Sequence, residues 1–259
     1  MGKNSIKIFS LFVVVLAMVG CEKGPTTGKG ELKIYMSDSP AGYDAVNIVV
    51  KEVAVHNNAQ GWVIVNDSVR TFNLLSLANG ATVLLGDATL NAGHYTQIRL
   101  ILDAGSNVVV NGVSYPLNIP SGFQTGIKLN HEFTLQADYT YELMLDFDAN
   151  RSINLLDNGT YQMKPVIRVH PVAQTGAIGG VVVPVSARAT VTATSSTDTA
   201  STLADTLSGQ FKLIALPPAF YMIHFAAWDT SLFRDTALVN IQVNAGQTTN
   251  VGIVTLSDK

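Results

Sequence analysis

From residue 31 onward the sequence is cut into short runs in which apolar and polar residues alternate, with glycine, proline, asparagine or serine between them. Period two puts successive side chains on opposite faces of an extended chain, so one face can be buried and the other wetted. Leu32, Ile34 and Met36 show the pattern first, and Ser37-Asp38-Ser39-Pro40 turns the chain. Residues 45–55 are β-branched and mostly period two, and residues 57–61 lead them into Trp62-Val63-Ile64-Val65 as a hairpin. Val108-Val109-Val110-Asn111-Gly112-Val113 is the clearest hairpin, because Asn-Gly accepts the positive φ a two-residue turn demands. Leu74-Leu75-Ser76-Leu77 is expected to form a helical turn. Further strands are expected around Tyr95, Ile127, Phe133, Tyr141 and over residues 161–169. Many short strands separated by turn signals predict a β-sandwich.

Pro171-Val172-Ala173-Gln174-Thr175-Gly176 and the glycines Gly179 and Gly180 read as a boundary after a finished strand. Strand patterns then resume at Val181, Val191, Phe211, Tyr221, Val239 and Val251, with turns at Ser208-Gly209 and Asn244-Ala245-Gly246. The expected architecture is therefore all-β: two tandem β-sandwich domains of immunoglobulin-like or prealbumin-like type, over residues 31–172 and 173–259.

The first 20 residues are of another kind. Lys3 and Lys7 precede an apolar run over residues 8–17, which Met18-Val19-Gly20-Cys21 closes. A charged start, a short apolar stretch and a small-residue end are the order of an export signal. The run is too short for a membrane span, which needs roughly 20 apolar residues. Cys21 is the only cysteine in the chain and follows the small residue directly, so the segment resembles the lipobox of bacterial lipoproteins. The resemblance implies cleavage after Gly20 and lipidation of Cys21, which becomes the new N-terminus. Residues 1–20 are then a lipoprotein signal peptide, and residues 21–30, rich in glycine and threonine with one proline, carry the lipid and form a flexible tether. The expected location is lipid-anchored in the bacterial cell envelope, at the outer membrane, with the membrane as a partner through the anchor. With no second cysteine, disulfides cannot form and stability must come from packed cores.

Charge narrows the partners. The chain carries a net −3; without Lys3 and Lys7 it has 14 basic against 19 acidic residues, a net −5. No basic run exists, so nucleic acid is not an expected partner.

Several blocks resemble known families. Ile34-Tyr35-Met36-Ser37-Asp38-Ser39-Pro40, Gly93-His94-Tyr95-Thr96-Gln97-Ile98-Arg99-Leu100, Ile119-Pro120-Ser121-Gly122-Phe123-Gln124-Thr125-Gly126 and Leu145-Asp146-Phe147-Asp148-Ala149-Asn150-Arg151-Ser152 resemble the bacterial domain of unknown function 4382. That resemblance covers roughly residues 30–172 and implies a domain, commonly on lipoproteins, with no assigned activity. Ser208-Gly209-Gln210-Phe211, Leu216-Pro217-Pro218-Ala219-Phe220-Tyr221 and Val243-Asn244-Ala245-Gly246 are similar to the carboxypeptidase regulatory-like family. This implies a transthyretin-like sandwich of the carbohydrate-binding-like group. Ser208 stands where that family has aspartate, and Ala219-Phe220 replaces its Pro-Gly.

Chemistry-bearing patterns are few. Asp146, Asp148, Asn150 and Ser152 recur at every second residue, with Asp157 eleven positions after the first. Hard oxygen ligands at such spacing can wrap a calcium ion. Yet Arg151 stands where the loop needs glycine and Asp157 where it needs glutamate, so a polar cluster at a strand end fits the same residues. Asp38 and Asp44 could add carboxylates to the site; alternatively Asp38 makes an Asx-type turn before Pro40. The five histidines, His56, His94, His131, His170 and His224, show no metal-ligand spacing, and no nucleophile elbow, phosphate loop or dinucleotide fingerprint appears. No cofactor is called for and no catalytic set emerges. Among the aromatics Trp62, Tyr43, Tyr95, Tyr115, Phe123, Tyr139, Tyr141 and Trp228, most are expected in the core. Phe123 and Trp228, in turn-rich loops, are the candidates for stacking on a ligand such as a sugar ring. Finally, Asp67-Ser68-Val69, Asp198-Thr199-Ala200, Asp205-Thr206-Leu207 and Asp235-Thr236-Ala237 resemble the O-glycosylation acceptors of Bacteroidetes-type bacteria, with Ser68, Thr199, Thr206 and Thr236 as acceptors, although so loose a tripeptide also arises by chance. The expected function is non-catalytic binding or adhesion at the envelope, of a glycan or an envelope protein; the alternative is a structural spacer or assembly component of a surface complex.

Overall fold

A computed structural model describes residues 28–39, 41–120 and 125–259. Alternation works there as the sequence suggests. In β1 (Lys29–Ser39) Leu32, Ile34 and Met36 point one way and are fully buried. Burying each such side chain stabilises the fold by roughly 1.5–3 kcal/mol. The remaining strands of the first part are β2 (Ala45–Asn57), β3 (Gly61–Asn66), β4 (Arg70–Asn73), β5 (Val83–Asn91), β6 (Gly93–Leu102), β7 (Asn107–Val110), β8 (Val113–Asn118), β9 (Ile127–Leu135), β10 (Thr140–Asp148), β11 (Ile153–Leu155), β12 (Tyr161–Met163) and β13 (Ile167–Pro171). The helical turn is a 3-10 turn, Leu74–Leu77, capped by the Asn73 side chain. One α-helical turn, α1 (Ala149–Ser152), follows β10.

These strands form two sheets. One has the order β13-β10-β1-β5, with β1 parallel to β10 and antiparallel to β5. The other has the order β11-β12-β8-β7-β2-β6-β9, and β3 and β4 also pair with β2. β2 reaches so many partners because its thirteen residues serve them in succession: Ala45 to Asn47 meet β7, Asn47 to Val50 meet β4, and Val53 to Asn57 meet β3. Leu32, Ile34, Leu143, Leu145 and Phe147 of the first sheet share one apolar core with Ile48, Val53, Tyr95, Ile98 and Leu100 of the second. Asn111 and Gly112 carry φ of 51° and 75°, the mirror-image turn expected between β7 and β8.

A second core begins at Ile178. Its strands are β14 (Gly176–Val183), β15 (Thr190–Thr194), β16 (Thr199–Leu203), β17 (Gln210–Leu216), β18 (Phe220–Ala226), β19 (Thr236–Gln242) and β20 (Thr248–Thr255). They pair as β17-β14-β20 and β16-β15-β18-β19. Val182, Phe211 and Leu213 of one sheet and Val191, Tyr221, Ile223 and Phe225 of the other fill the space between. In each half the opening strand, β1 or β14, is central and takes a parallel partner from late in its own half.

Candidate functional site

Among the described residues, the most densely charged buried place lies where the two cores meet. In β10, Asp146 falls on the face opposite Leu145 and Phe147 and is only 6% exposed. Register sets it between Ser37 of β1 and Arg168 of β13. Ser37 Oγ donates to Asp146 Oδ1 at 2.7 Å, and Arg168 donates to Asp146 Oδ2 through Nε, at 3.1 Å, and Nη2. Arg168 Nη1 then reaches across to Asp198, between β15 and β16, at 2.6 Å. Burial alone would lower the guanidinium's pKa; Asp146 and then Asp198 outweigh it and raise it. One cation thus holds a carboxylate from each half in the charge-assisted geometry that gives the stronger hydrogen bonds. His170, two residues along β13, has its pKa lowered by burial and then by Arg168, and its Nε2 lies 3.9 Å from Asp198 without a hydrogen bond.

Asp38 sits beside this triad. It is 4% exposed; Oδ1 accepts from the Ala149 N–H at 3.0 Å, and Oδ2 has no hydrogen-bond partner among the described residues. Burial pushes its carboxyl up to about 8, helped by Asp146 and Asp148 and opposed by the Ala149 bond. Together with Ser37 and Asp146, it faces Ser201, Thr202 and Lys212 of the second half across a cavity of about 10 Å3.

A second contact joins the halves at the rim of the same cavity. Asn79, at φ 56°, projects from the turn before β5. Its N–H donates to Thr202 Oγ1 at 2.9 Å. Its carboxamide takes the outer edge of β17 as a strand residue would: Oδ1 accepts from the Lys212 N–H at 2.6 Å, and Nδ2 donates to the Gln210 carbonyl at 3.3 Å. A side-chain amide therefore satisfies backbone groups that an edge strand leaves open.

The calcium pattern is distributed differently from what its spacing suggests. Asp146 is engaged with Arg168; Asp148 caps α1 by accepting from the Arg151 N–H at 2.9 Å; Asn150 and Asp157 are exposed. The strand gives way to a helical turn within the run, so period two is lost and the oxygens diverge. Among the described residues, no group of three or more histidine, cysteine, aspartate or glutamate side chains is placed to hold a metal ion. The Asx turn expected at Asp38 is replaced by continuing strand, its carboxylate bound 111 residues away. Asp44 bonds the Gly112 N–H instead, at 2.8 Å.

Cys21 and Phe123 lie outside the described residues. Trp228, in the β18–β19 loop, is 71% exposed. Among the other aromatics Tyr95 is core, Tyr43 and Tyr115 pack on Tyr161, Tyr141 stacks on Phe133, and Arg99 covers Trp62 at 4.4 Å. Of the acceptor hydroxyls, Ser68, Thr199 and Thr206 are on exposed residues and Thr236 is half-buried. Their aspartates do structural work: Asp198 binds Arg168, Asp205 accepts from Leu207 and Ser208, and Asp235 accepts from Ala227. Sequence reasoning missed Arg168 and Asn79; the only signal for Asn79 is its place in an Asn-Gly turn. Among the described residues no helix is long and apolar enough to cross a membrane.

No curated protein matches the sequence. Among solved structures, the Bacillus anthracis TIE protein is similar at 14% identity and a TM-score of 0.25, over 89% of this chain and 34% of its own, so the chain spans about a third of its length. The minor pilin GBS52 of Streptococcus agalactiae aligns at 11% identity and 0.23 over 88% and 96% of the two chains. A fimbrial protein from Bacteroides ovatus aligns at 9% identity and 0.23 over 90% and 50%. Similarity this low says nothing about what the chain does. Residues 29–165 match the family described as "Domain of unknown function (DUF4382)". That match takes in more than half of the residues, every strand of the first core except β13, and the Asp38 and Asp146 side of the joint, and the chain belongs to the DUF4382 family.

Proposed function

We propose that this chain is a non-catalytic module of the bacterial cell envelope, anchored through lipidated Cys21, whose two β-sandwiches act as one stiff unit that holds a surface structure away from the membrane. The observation that supports it is the joint. Two modules strung on a free linker would move independently by default. Here Arg168 ties Asp146 to Asp198, and close by the Asn79 carboxamide joins the edge of β17. Neighbouring contacts to two elements of the second half, Asp198 before β16 and the edge of β17, restrain its orientation, which a spacer needs and an independent pair of binding domains does not. Two measurements test this reading. Spin labels on β6 and β18 should give a narrow distance distribution, and a broad one refutes stiffness. Cys21→Ser should release the protein from membranes, and unchanged membrane fractionation refutes the anchor.

Binding or adhesion, to a glycan or an envelope protein, is the second reading. It is favoured by apolar side chains left in solvent on β18, β19 and the loop between them: Phe220, Met222, Val239 and Trp228 are 63%, 48%, 64% and 71% exposed. Exposed apolar clusters of this kind often mark interaction surfaces. A glycan array and co-purification from native membranes distinguish recognition from spacing.

A further inference from the structure

The outer face of the three-stranded sheet carries a groove. β14 is its central strand, and Gly179 lies in register with Lys212 of β17 on one side and Asn250 of β20 on the other. Neighbouring strands are about 4.8 Å apart, so these two side chains flank a floor about 10 Å across that has no side chain at its middle. The space is about 470 Å3 and is closed at one side by Asn79. It continues past Lys212 and Thr248 into a hollow of about 310 Å3 against Met144 and Val172 of the first half. Sites for small ligands occupy about 300–1,000 Å3.

We propose that this groove binds an oligosaccharide carrying uronic carboxylates. Charge is the first argument. Among the described residues no carboxylate lines either hollow and Lys212 is the one charged residue in both, although Lys212 also borders the small joint cavity that Asp38 and Asp146 line. It forms no ion pair among the described residues, in a chain of net −3. The second argument is what the groove cannot bind. An extended peptide that docks on a sheet adds to a free edge through its main chain. β14 is paired on both sides and the outer edge of β17 at Gln210 and Lys212 is already taken by Asn79; the remaining edge of this sheet, the far side of β20, lies beyond the groove floor. Recognition falls to the amides of Gln210, Gln247 and Asn250 and the hydroxyl of Thr248, groups that match ring hydroxyls. The third is preformation: Asn79, which bounds the site, is held by three hydrogen bonds. This inference goes beyond the spacer reading and does not rest on it, since a broad label distribution with intact sugar binding would refute only stiffness.

Gly179 supplies the decisive variant. A Cβ there would sit 3.4 Å from the Phe211 carbonyl and 3.8 Å from Thr248 Cγ2, ordinary contacts, so Gly179→Leu fills the floor with the sheet intact. Calorimetric titration of the full chain with oligomers of galacturonic and of glucuronic acid, their neutral counterparts and an acidic peptide tests the proposal. The parent should bind an acidic sugar saturably and more tightly than its neutral counterpart. Lys212→Gln should weaken that binding about tenfold and erase the preference, as loss of one charge-assisted contact does. Gly179→Leu should abolish it at an unchanged melting temperature; if that variant melts early, Lys212→Gln carries the test alone. No saturable binding by the parent, equal affinity for neutral sugars, a peptide that binds as well, or binding that survives Lys212→Gln unchanged would each overturn the proposal.

Discussion

Replacing Asp38 by asparagine removes one ionisable proton from the joint while keeping the side chain's shape. In the folded chain burial, with Asp146 and Asp148 nearby, holds this carboxyl up to about 8, against 3.8 for a free aspartate. Between those values the folded state keeps a proton that the unfolded chain has released. Stability therefore falls as pH rises through that window and levels off above about 8, the reverse of the usual aspartate. Each pH unit is worth about 1.4 kcal/mol, and the whole window at most about 6 kcal/mol. Asparagine still accepts from the Ala149 N–H and does not titrate. The charged groups facing Asp38 (Asp146 and Asp148 on β10 and Lys212 from the second half) are common to both proteins, so their contribution largely cancels in the difference. Denaturant unfolding of parent and Asp38→Asn at intervals from about pH 5 to 9 should show the variant gaining on the parent by roughly 1 kcal/mol per unit, then a plateau. A difference that is flat from about pH 5 to 8 would mean that Asp38 is solvated or already ionised, and the electrostatic account of the joint would be refuted.

Two further outcomes concern the joint and a third the exposed Trp228. Arg168→Ala leaves Asp146 and Asp198 buried without a cation and should cost about 3–5 kcal/mol in denaturant unfolding near neutral pH; a loss under about 1 kcal/mol would show that the triad is solvated. Asn79→Gly keeps a residue content with φ 56° and removes only the two carboxamide bonds, at about 1 kcal/mol each, so melting should fall slightly while the label distribution between β6 and β18 broadens. Trp228→Ala, at an exposed site, should change stability by no more than about 0.5 kcal/mol, and a larger loss would place the ring in a contact between copies of the chain.

Local features of this fold were legible in the sequence because their causes are local. Period two fixed the buried faces of β1 and β2, Asn111-Gly112 fixed a hairpin, and Leu74–Leu77 turned as its composition suggested. What could not be read depends on partners far along the chain. Nothing near Leu32 says that β1 runs parallel to β10, because that pairing joins residues more than a hundred positions apart and is selected by two shared core faces. Asp38 looked like a turn residue because Pro40 follows it. Tertiary pairing carried the strand through Ser39 instead and buried the carboxylate. The Asp146 run had the spacing of a cation loop, but the same period two is one polar face of a strand, and its carboxylate met Arg168.

The joint illustrates why such sites escape pattern reading. Neither an arginine in a strand nor an asparagine before a glycine is unusual, and each would be unremarkable on an exposed sheet. Their roles arise because an edge and a face of the first half meet β17 and the β15–β16 loop of the second. At that meeting Arg168 acquires a second carboxylate and Asn79 two backbone partners. Burying a cation between two carboxylates is a poor way to gain stability, since apolar residues of equal volume commonly do better. It is a good way to fix one arrangement, because any slip of one sandwich over the other strands a charge. The same reasoning applies to Asn79: shifting β17 by one residue would present a residue whose N–H and carbonyl point toward β14 and away from its amide. A joint meant to flex would have no use for either device, so the mechanical reading stands or falls with how narrowly these two residues hold the halves.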